Sequence, residues 1–274
     1  SFFYLAIPVG SALGYVAGGI LGQTFGWHSA FMMVALPGLF LVIPLWLLRE
    51  PGRSVQTAAP AERRTAKDYC AFFRNRSFIL NNLAMAAMTF ALGGMAQWMP
   101  TFLHRQYGTD VATGDTLFGV TTVLAGITGT LAGGWLGDWF QKKSGKGYLL
   151  VSGWGFVAGT PLMMLAICAP SMQACIAAMF AAEFFLFINT GPMNTIVVNV
   201  TKPGTRAMAF AFNIFIIHAL GDAISPAILG YLSDLYGLKS ALFITPGMIV
   251  LAAALCFVCM RYIEKDTAEA SAAA

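Results

Sequence analysis

The sequence predicts an all-α membrane protein with eight visible transmembrane helices, and three observations carry that prediction. Of its 274 residues, 58% are apolar and only 10% charged, with a mean hydropathy of +0.71. A soluble domain carries roughly 25% charged residues, so this chain has too little polar material to solvate a globule. The apolar residues gather into runs near the ~20 residues that a spanning helix needs. These runs cover about 2–22, 28–48, 78–103, 114–137, 147–169, 171–198, 207–233 and 239–262. The third observation is how the cations sort. With the polar stretch 49–77 placed in the cytoplasm, fourteen of the 16 lysines and arginines fall on that side, and only Arg105 and Lys239 face the other. Loop lysine and arginine set membrane orientation, and an extra or missing span would scramble this sorting. The chain is therefore expected to be an integral, multi-pass protein of a plasma or bacterial inner membrane, with both visible ends cytoplasmic.

In chain order, the first segment carries Gly10-x-x-x-Gly14-x-x-x-Gly18-Gly19, a small-residue face that lets helices approach closely. Residues 28–48 follow as a second apolar run. Residues 49–77 are basic, contain Pro51, Gly52 and Pro60, and read as a linker between two bundles. The span 78–103 brings the neutral polar residues Asn81, Asn82 and Gln97. The next, 114–137, ends in a basic stretch, and 147–169 is uniformly apolar. Segment 171–198 contains Glu183, and on a helix Glu183, Phe187, Thr190 and Asn194 share one face, interrupted by Gly191-Pro192. Segment 207–233 contains Asn213, His218 and Asp222. The last span holds Cys256 and Cys259, which read as small buried hydrophobes: although spaced as C-x-x-C, they lie within an apolar run and no histidine stands at metal spacing.

Residues 10–31 and 221–242 repeat at an offset of 211: Gly10 meets Gly221, Gly19 meets Gly230, and Gly26-x-x-Ser29-Ala30 meets Gly237-x-x-Ser240-Ala241. The first two helices thus correspond to the last two. The expected organisation is 1–48 as the last two helices of an N-terminal six-helix bundle, 49–77 as a cytoplasmic linker, 78–262 as a C-terminal six-helix bundle and 263–274 as a cytoplasmic tail. Eight helices would then be visible of an expected twelve, the protein being N-terminally incomplete and built from parallel repeats.

Gly134-x-x-x-Asp138-x-x-x-Lys142, with Lys143 and Lys146, resembles the cytoplasmic loop of the major facilitator superfamily. That resemblance implies a gate latch: the glycine for close approach, the carboxylate to cap or pair with a neighbouring helix end, and the lysines for lipid phosphates and helix C-termini. In position, the glycines of 10–19 resemble the antiporter motif of the same superfamily, but Tyr15 stands where its proline is expected, and helix packing is the better reading. Arg206, Ala207, Ala209, His218, Gly221-Asp222-Ala223, Ser225-Pro226, Gly230 and Ser233-Asp234 resemble the penultimate helix of spinster-type transporters. Trp98-x-Pro100-x-Phe102-Leu103 and Phe118-Gly119-x-Thr121 support the likeness. The resemblance implies a major facilitator fold, export of sphingolipids or lysophospholipids, and cavity positions at Glu183 and His218.

Ionisable residues inside a span are expensive and are functional candidates by default. Glu183 and His218 are expected to line a central cavity and to bind the substrate's polar head, a proton, or both. Asp222 either orients His218 or braces its helix; the plainer alternative is that the pair only satisfies itself. Asn194, Thr190, Asn213, Asn82 and Gln97 are further cavity candidates, although each alone is more often an interhelical hydrogen bond. Phe184, Phe185, Phe187, Phe212 and Phe215 would suit an acyl chain but are equally explained by lipid-facing packing.

No Walker-type loop, paired zinc ligands or nucleophile–base arrangement occurs in the sequence, so it predicts no enzyme, no cofactor and no metal. Nucleic acid is a poor partner for a net charge of +4. The expected function is secondary active transport by alternating access, exporting a small amphipathic, lipid-like substrate as a monomer among membrane lipids, with proton coupling as a further expectation. The alternatives are an organic-anion or sugar-acid importer of the same superfamily, and a lipid scramblase or non-transporting receptor.

Overall fold

A computed structural model describes residues 24–48 and 72–272, and before them only positions 10, 14, 17 and 21. The rest of the first expected span, linker residues 49–71 with Cys70 among them, and residues 273–274 lie outside the described residues. All regular structure among the described residues is helical, and seven helices are long and apolar enough to cross a membrane. They coincide with the last seven expected segments to within a few residues at each end.

The elements are α1 (Trp27–Leu47), α2 (Arg76–Tyr107), α3 (Val111–Lys143), α4 (Gly147–Cys168), α5 (Met172–Phe187) and α6 (Thr190–Asn199). There follow α7 (Arg206–Ile217), a π-helical turn (His218–Asp222), α8 (Ser225–Tyr236), α9 (Leu238–Leu242), α10 (Ile244–Cys259) and α11 (Ile263–Ala272). Helix starts follow capping chemistry. The Asn75 side chain accepts from the Phe78 amide at 2.8 Å and donates to the Val200 carbonyl at 2.8 Å, tying the start of α2 to the end of α6. Asp110 caps α3 by accepting from the Thr113 amide at 2.9 Å and from its hydroxyl. These two bonds hold the Asp110 carboxyl below the usual range.

α2 is the axis of the bundle. It packs against α10 on one side, α3 on another, and α7, the π-helical turn and α8 on a third; α4 in turn packs on α5, α10 and α3. The core between them is apolar and well filled, with Phe78, Met95, Met99, Leu103, Phe156, Met179 and Leu186 almost wholly buried.

The internal repeat has a backbone counterpart. Gly26 (φ 77, ψ 157) and Gly237 (φ 84, ψ 151) adopt the same conformation, each just before a helix, and each carbonyl accepts from the amide four residues on at 3.1 Å. That region of backbone space is essentially reserved for glycine.

Three expectations need correction, whereas segment 171–198 runs as one span, Met172–Asn199: the ladder lacks the bond that Pro192 has no amide to make, and Ile188 and Asn189 between α5 and α6 keep right-handed helical dihedrals. The linker is shorter than 49–77, since Arg76 and Ser77 already belong to α2. Gly134 to Lys143 is helix rather than loop; the connection is only Ser144–Lys146. The tail is a docked helix: the Asp266 carboxylate accepts from the Ser77 amide at 2.8 Å, and Glu264 meets Lys146 at 3.4 Å.

Candidate functional site

The site grows from the π-helical turn. α7 runs regularly to Ile217, after which the Ala223 amide reaches back five residues to the His218 carbonyl at 3.1 Å. The distortion centres on Gly221 (φ −103, ψ −107), which lies flat against α2. A Cβ there would stand 2.9 Å from Thr89 Cβ and 3.1 Å from the Ala86 carbonyl. π-Turns widen a helix by one residue and redirect the side chains that follow. Here the redirected side chain is Asp222, seated on α2 where Gly93 has no side chain to exclude it. The Trp98 indole donates to the Pro226 carbonyl at 2.9 Å, fixing the start of α8 on the same helix.

His218 Nδ1 lies 2.9 and 3.0 Å from the two Asp222 carboxylate oxygens. The side chains remain 56% and 38% exposed. The pair is therefore reachable rather than sealed in the core. Beside it opens a polar-walled cleft of ≈ 610 Å³ lined by Gly93 and Gln97 of α2, Asp115 of α3, and Asp222, Ala223 and Pro226. Gln97 and Asp222 were expected at a site; Asp115 was not. It stands one turn into α3 in the sequence Thr113-Gly114-Asp115-Thr116, which reads as the polar start of a helix. Only the approach of α3 to α2, with Gly114 against the Pro100 backbone, turns it toward Asp222's cleft.

Glu183 lies elsewhere. It is wholly buried on α5, and its Oε1 accepts from the Thr122 hydroxyl of α3 at 3.1 Å; Oε2 has no protein partner. It does not line the cleft in this structure, and Thr122, 61 residues earlier, has no signature that sequence reasoning could have used. The helical backbone continues through Ile188–Asn189, and Thr190 and Asn194 lie half-buried on α6, where Asn194 donates to the Thr190 carbonyl at 2.7 Å. Asn82 and Asn213 are also buried away from open space. Asn213 donates to the Asn82 carbonyl oxygen, and Asn82 donates to the Phe78 carbonyl at 2.7 Å, so the two amides join α7 to α2. Asn81 likewise donates to the Met193 carbonyl at 3.2 Å. The structure thus brings Gln97, Asp115, Asp222 and His218 together, and holds Glu183, Asn82, Asn213, Thr190 and Asn194 within helix contacts.

At the opposite end of α3, Asp138 accepts from the Tyr148 hydroxyl at 2.9 Å, across the turn into α4. Lys143 lies 3.4 Å above the Trp139 ring, and Lys142 is exposed. Gly134 faces Gly191 of α6, where a Cβ added to Gly191 would lie 3.7 Å from the Gly134 Cα, and tighter approaches flank it: Gly133 meets the Ile188 backbone, and Gly137 meets Pro192 and Tyr148. Among the described residues no group of three or more His, Cys, Asp or Glu side chains is placed to hold a metal ion.

Comparison with known proteins places this architecture. Residues 1–226 match the family model of the Major Facilitator Superfamily. The chain is similar to the sphingosine-1-phosphate transporter of Mus musculus, with 31% identity over 254 residues, covering 86% of this chain and 46% of that protein. It is equally similar to a probable sphingolipid transporter, a spinster homolog of Arabidopsis thaliana, at 31% over 248 residues, 85% of this chain and 51% of the relative. The chain spans about half the length of the curated relatives it matches. Among solved structures, a bacterial homolog of the human lysosomal transporter spinster, inward-facing and unoccupied, superposes with a TM-score of 0.74 at 21% identity, covering 95% of this chain and 65% of that one. With a family match over most of the chain, spinster-type relatives in sequence and this fold in space, the chain belongs to the major facilitator superfamily.

Proposed function

We propose that this chain forms part of a secondary active transporter that exports an amphipathic, lipid-like substrate of the sphingolipid or lysolipid type by alternating access. In this reading residues 78–262 are one bundle, 1–48 the end of the other, and the basic loops face the cytoplasm. The protein acts as a monomer. The single observation that carries the reading is the cleft at the π-helical turn. Asp222, paired with the reachable His218, lines with Gln97 and Asp115 a partly polar cleft, and the neighbouring α7–α8 surface exposes Phe215, Leu220 and Ile224. That is the mixture an amphiphile requires: hydrogen-bonding groups for its head and apolar helix surface for its tail. The similarity to a sphingosine-1-phosphate transporter and to a probable sphingolipid transporter supports the same substrate class.

Glu183 is assigned proton binding, and His218 with Asp222 substrate binding. A buried carboxyl with one neutral hydrogen-bond donor and no cation beside it can exchange a proton only when its surroundings rearrange, which couples protonation to conformation. The test is uptake of sphingosine phosphate and lysophospholipid by proteoliposomes holding the full-length protein, across a range of pH. The expected result is that His218→Ala and Asp115→Asn lower uptake at every pH, whereas Glu183→Gln flattens the pH profile and leaves binding measurable. Uptake that survives His218→Ala and Asp222→Asn together would remove the cleft from the pathway. A pH profile unchanged in Glu183→Gln would remove coupling from this half of the protein.

A further inference from the structure

The cleft beside the π-helical turn holds an excess of negative charge. Asp115 and Asp222 are its ionisable lining residues, contributed by α3 and by the π-helical turn, and Gln97 stands with them on α2. His218, paired to Asp222, is the titratable group beside them. Among the described residues no lysine or arginine lines the space. Between Ser77 and Leu103 α2 carries no charged residue, α3 has no lysine or arginine before Lys142, and none occurs between Arg206 and Lys239. Arg105 is the first on α2 beyond Gln97, eight residues and about 12 Å of helix away. The cleft is therefore net negative whether His218 is neutral or protonated.

The hydrogen-bonding groups have the same character. Asp115 and Gln97 are exposed, and neither side chain makes a hydrogen bond or ion pair with another described residue. Asp115 thus offers a carboxylate, and Gln97 an amide carbonyl, to whatever enters. Asp222 keeps spare lone pairs beyond its bonds to His218 Nδ1 at 2.9 and 3.0 Å. Three acceptors on three helical elements therefore face one space. With Nδ1–H given to Asp222, neutral His218 adds a fourth at Nε2. A primary ammonium, with three N–H donors and one positive charge, is the complement of that set. A phosphate presents acceptors and would meet two carboxylates. A bare metal ion fits no better. At ≈ 610 Å³ the cleft far exceeds a coordination sphere of about 2.5 Å radius, and among the described residues no three His, Cys, Asp or Glu side chains are placed to ligate one.

We propose that this cleft reads the ammonium group of an amphiphile's head, with Asp115 and Asp222 as its counter-charges and Gln97 as a neutral acceptor, and that it discriminates against heads lacking a cationic nitrogen. The proposal rests on the cleft being the substrate-binding site, and it narrows the substrate class to amphiphiles with a positively charged nitrogen. Any phosphate on such a head is left to groups outside the cleft. Asp115 sets the specificity: Asp222 is shared with His218, whereas Asp115 has no other partner among the described residues.

The experiment is equilibrium binding of two probes to the purified full-length protein: sphingosine phosphate and its N-acetyl analogue, which keeps the chain and the phosphate but has no charged nitrogen. The wild type is expected to bind the amine more tightly. Asp115→Asn is expected to cut that preference roughly five-fold, the order of one exposed charge pair, by weakening the amine alone. Asp115→Glu is expected to restore most of it, and an unchanged gel-filtration profile of each variant is the folding check. An Asp115→Asn protein that keeps the wild-type preference would overturn the proposal, as would a wild type that binds the N-acetyl form equally well. Equal weakening of both probes in Asp115→Asn would also overturn it, while leaving the cleft in the binding path. The underlying reading fails differently: binding of both probes untouched by His218→Ala with Asp222→Asn would mean that the cleft is not the substrate site.

Discussion

The Asn213 amide, buried between α7 and α2, illustrates how polar residues act inside this bundle. It donates to Asn82, lies 3.3 Å from Met85 Sδ, and so uses its hydrogen-bonding capacity on the neighbouring helix rather than on open space. Interhelical hydrogen bonds of this kind average ~0.6 kcal/mol in membranes, but truncating one partner leaves the other buried and unpaired, at ~1–3 kcal/mol. Asn213→Leu should therefore lower stability by about 1 kcal/mol, while Asn82→Leu/Asn213→Leu should cost less than the two single changes added. Denaturant titration of the four proteins in one detergent measures the difference; strict additivity would mean that the amides do not interact. The same reasoning separates the candidate residues. His218 and Asp222 were legible as a pair because a spacing of four places them on one helix face, and they are found 2.9 Å apart. Thr122 and Asp115 were not legible, because their roles arise where α3 meets α5 and α2, and no spacing within one helix encodes that meeting. Asn82 and Asn213 were visible as polar residues in apolar runs, yet composition alone cannot tell an amide facing a cavity from one facing another amide.

At the scale of elements, seven spans were readable because a run of about twenty apolar residues is a property of composition that no neighbour overrides. The interruptions were less so. Pro192 marked a weak point in 171–198, and the ladder bond it cannot make falls at the Ile188 carbonyl, where α3 presents a glycine face. Gly129 lies against the Phe184 carbonyl, Gly133 against the Ile188 carbonyl, and Gly137 against Pro192. These glycines recur every fourth residue on α3, a small-residue face of the kind that lets helix backbones touch. A side chain on Gly133 would collide with the Ile188 carbonyl itself, which cannot rotate aside. Gly133→Ala should accordingly destabilise the protein by about 1–3 kcal/mol, as overpacking does. Gly247→Ala provides the opposite sign. That glycine is exposed near the start of α10 with nothing within 4 Å of the added carbon, so the substitution should gain up to ~1 kcal/mol of helix propensity. Thermal unfolding of the two variants in a common detergent distinguishes them; two shifts of the same sign would refute the packing argument. The π-helical turn at His218–Asp222 had no comparable sequence signal beyond Gly221, since its cause is the contact of that glycine with Thr89 across the helix interface.

For the molecule as a whole, the charged ends of the helices show how the bundle is held at the face bearing the α3–α4 turn. α11 lies across that face and contacts the start of α2, the α3–α4 turn and α6 through three different chemistries. Asp266 accepts from the Ser77 amide at the positive end of α2, Glu264 pairs with Lys146, and Ile263 is buried in the apolar core. Next to them the Arg76 guanidinium lies 5.1 Å from the Tyr262 ring centre, and Cys259 Sγ approaches the Ser77 carbonyl at 3.6 Å. Residues 189 positions apart in sequence thus close the first turn of the central helix. A carboxylate at a helix N-terminus satisfies otherwise unpaired amides and the helix dipole together, so Asp266→Ala should cost ~0.5–2 kcal/mol, the range for loss of a capping group. The Glu264–Lys146 pair is largely exposed, and Glu264→Gln should change stability by under ~1 kcal/mol. If α11 braces the bundle, deletion of 263–272 should speed amide hydrogen exchange at Ser77 to Asn81 and at Lys146 to Leu150, while leaving the buried middle of α2 protected. Faster exchange along all of α2 would mean that α11 supports the entire fold, and unchanged exchange at Ser77 would mean that the Asp266 cap does not form in the membrane.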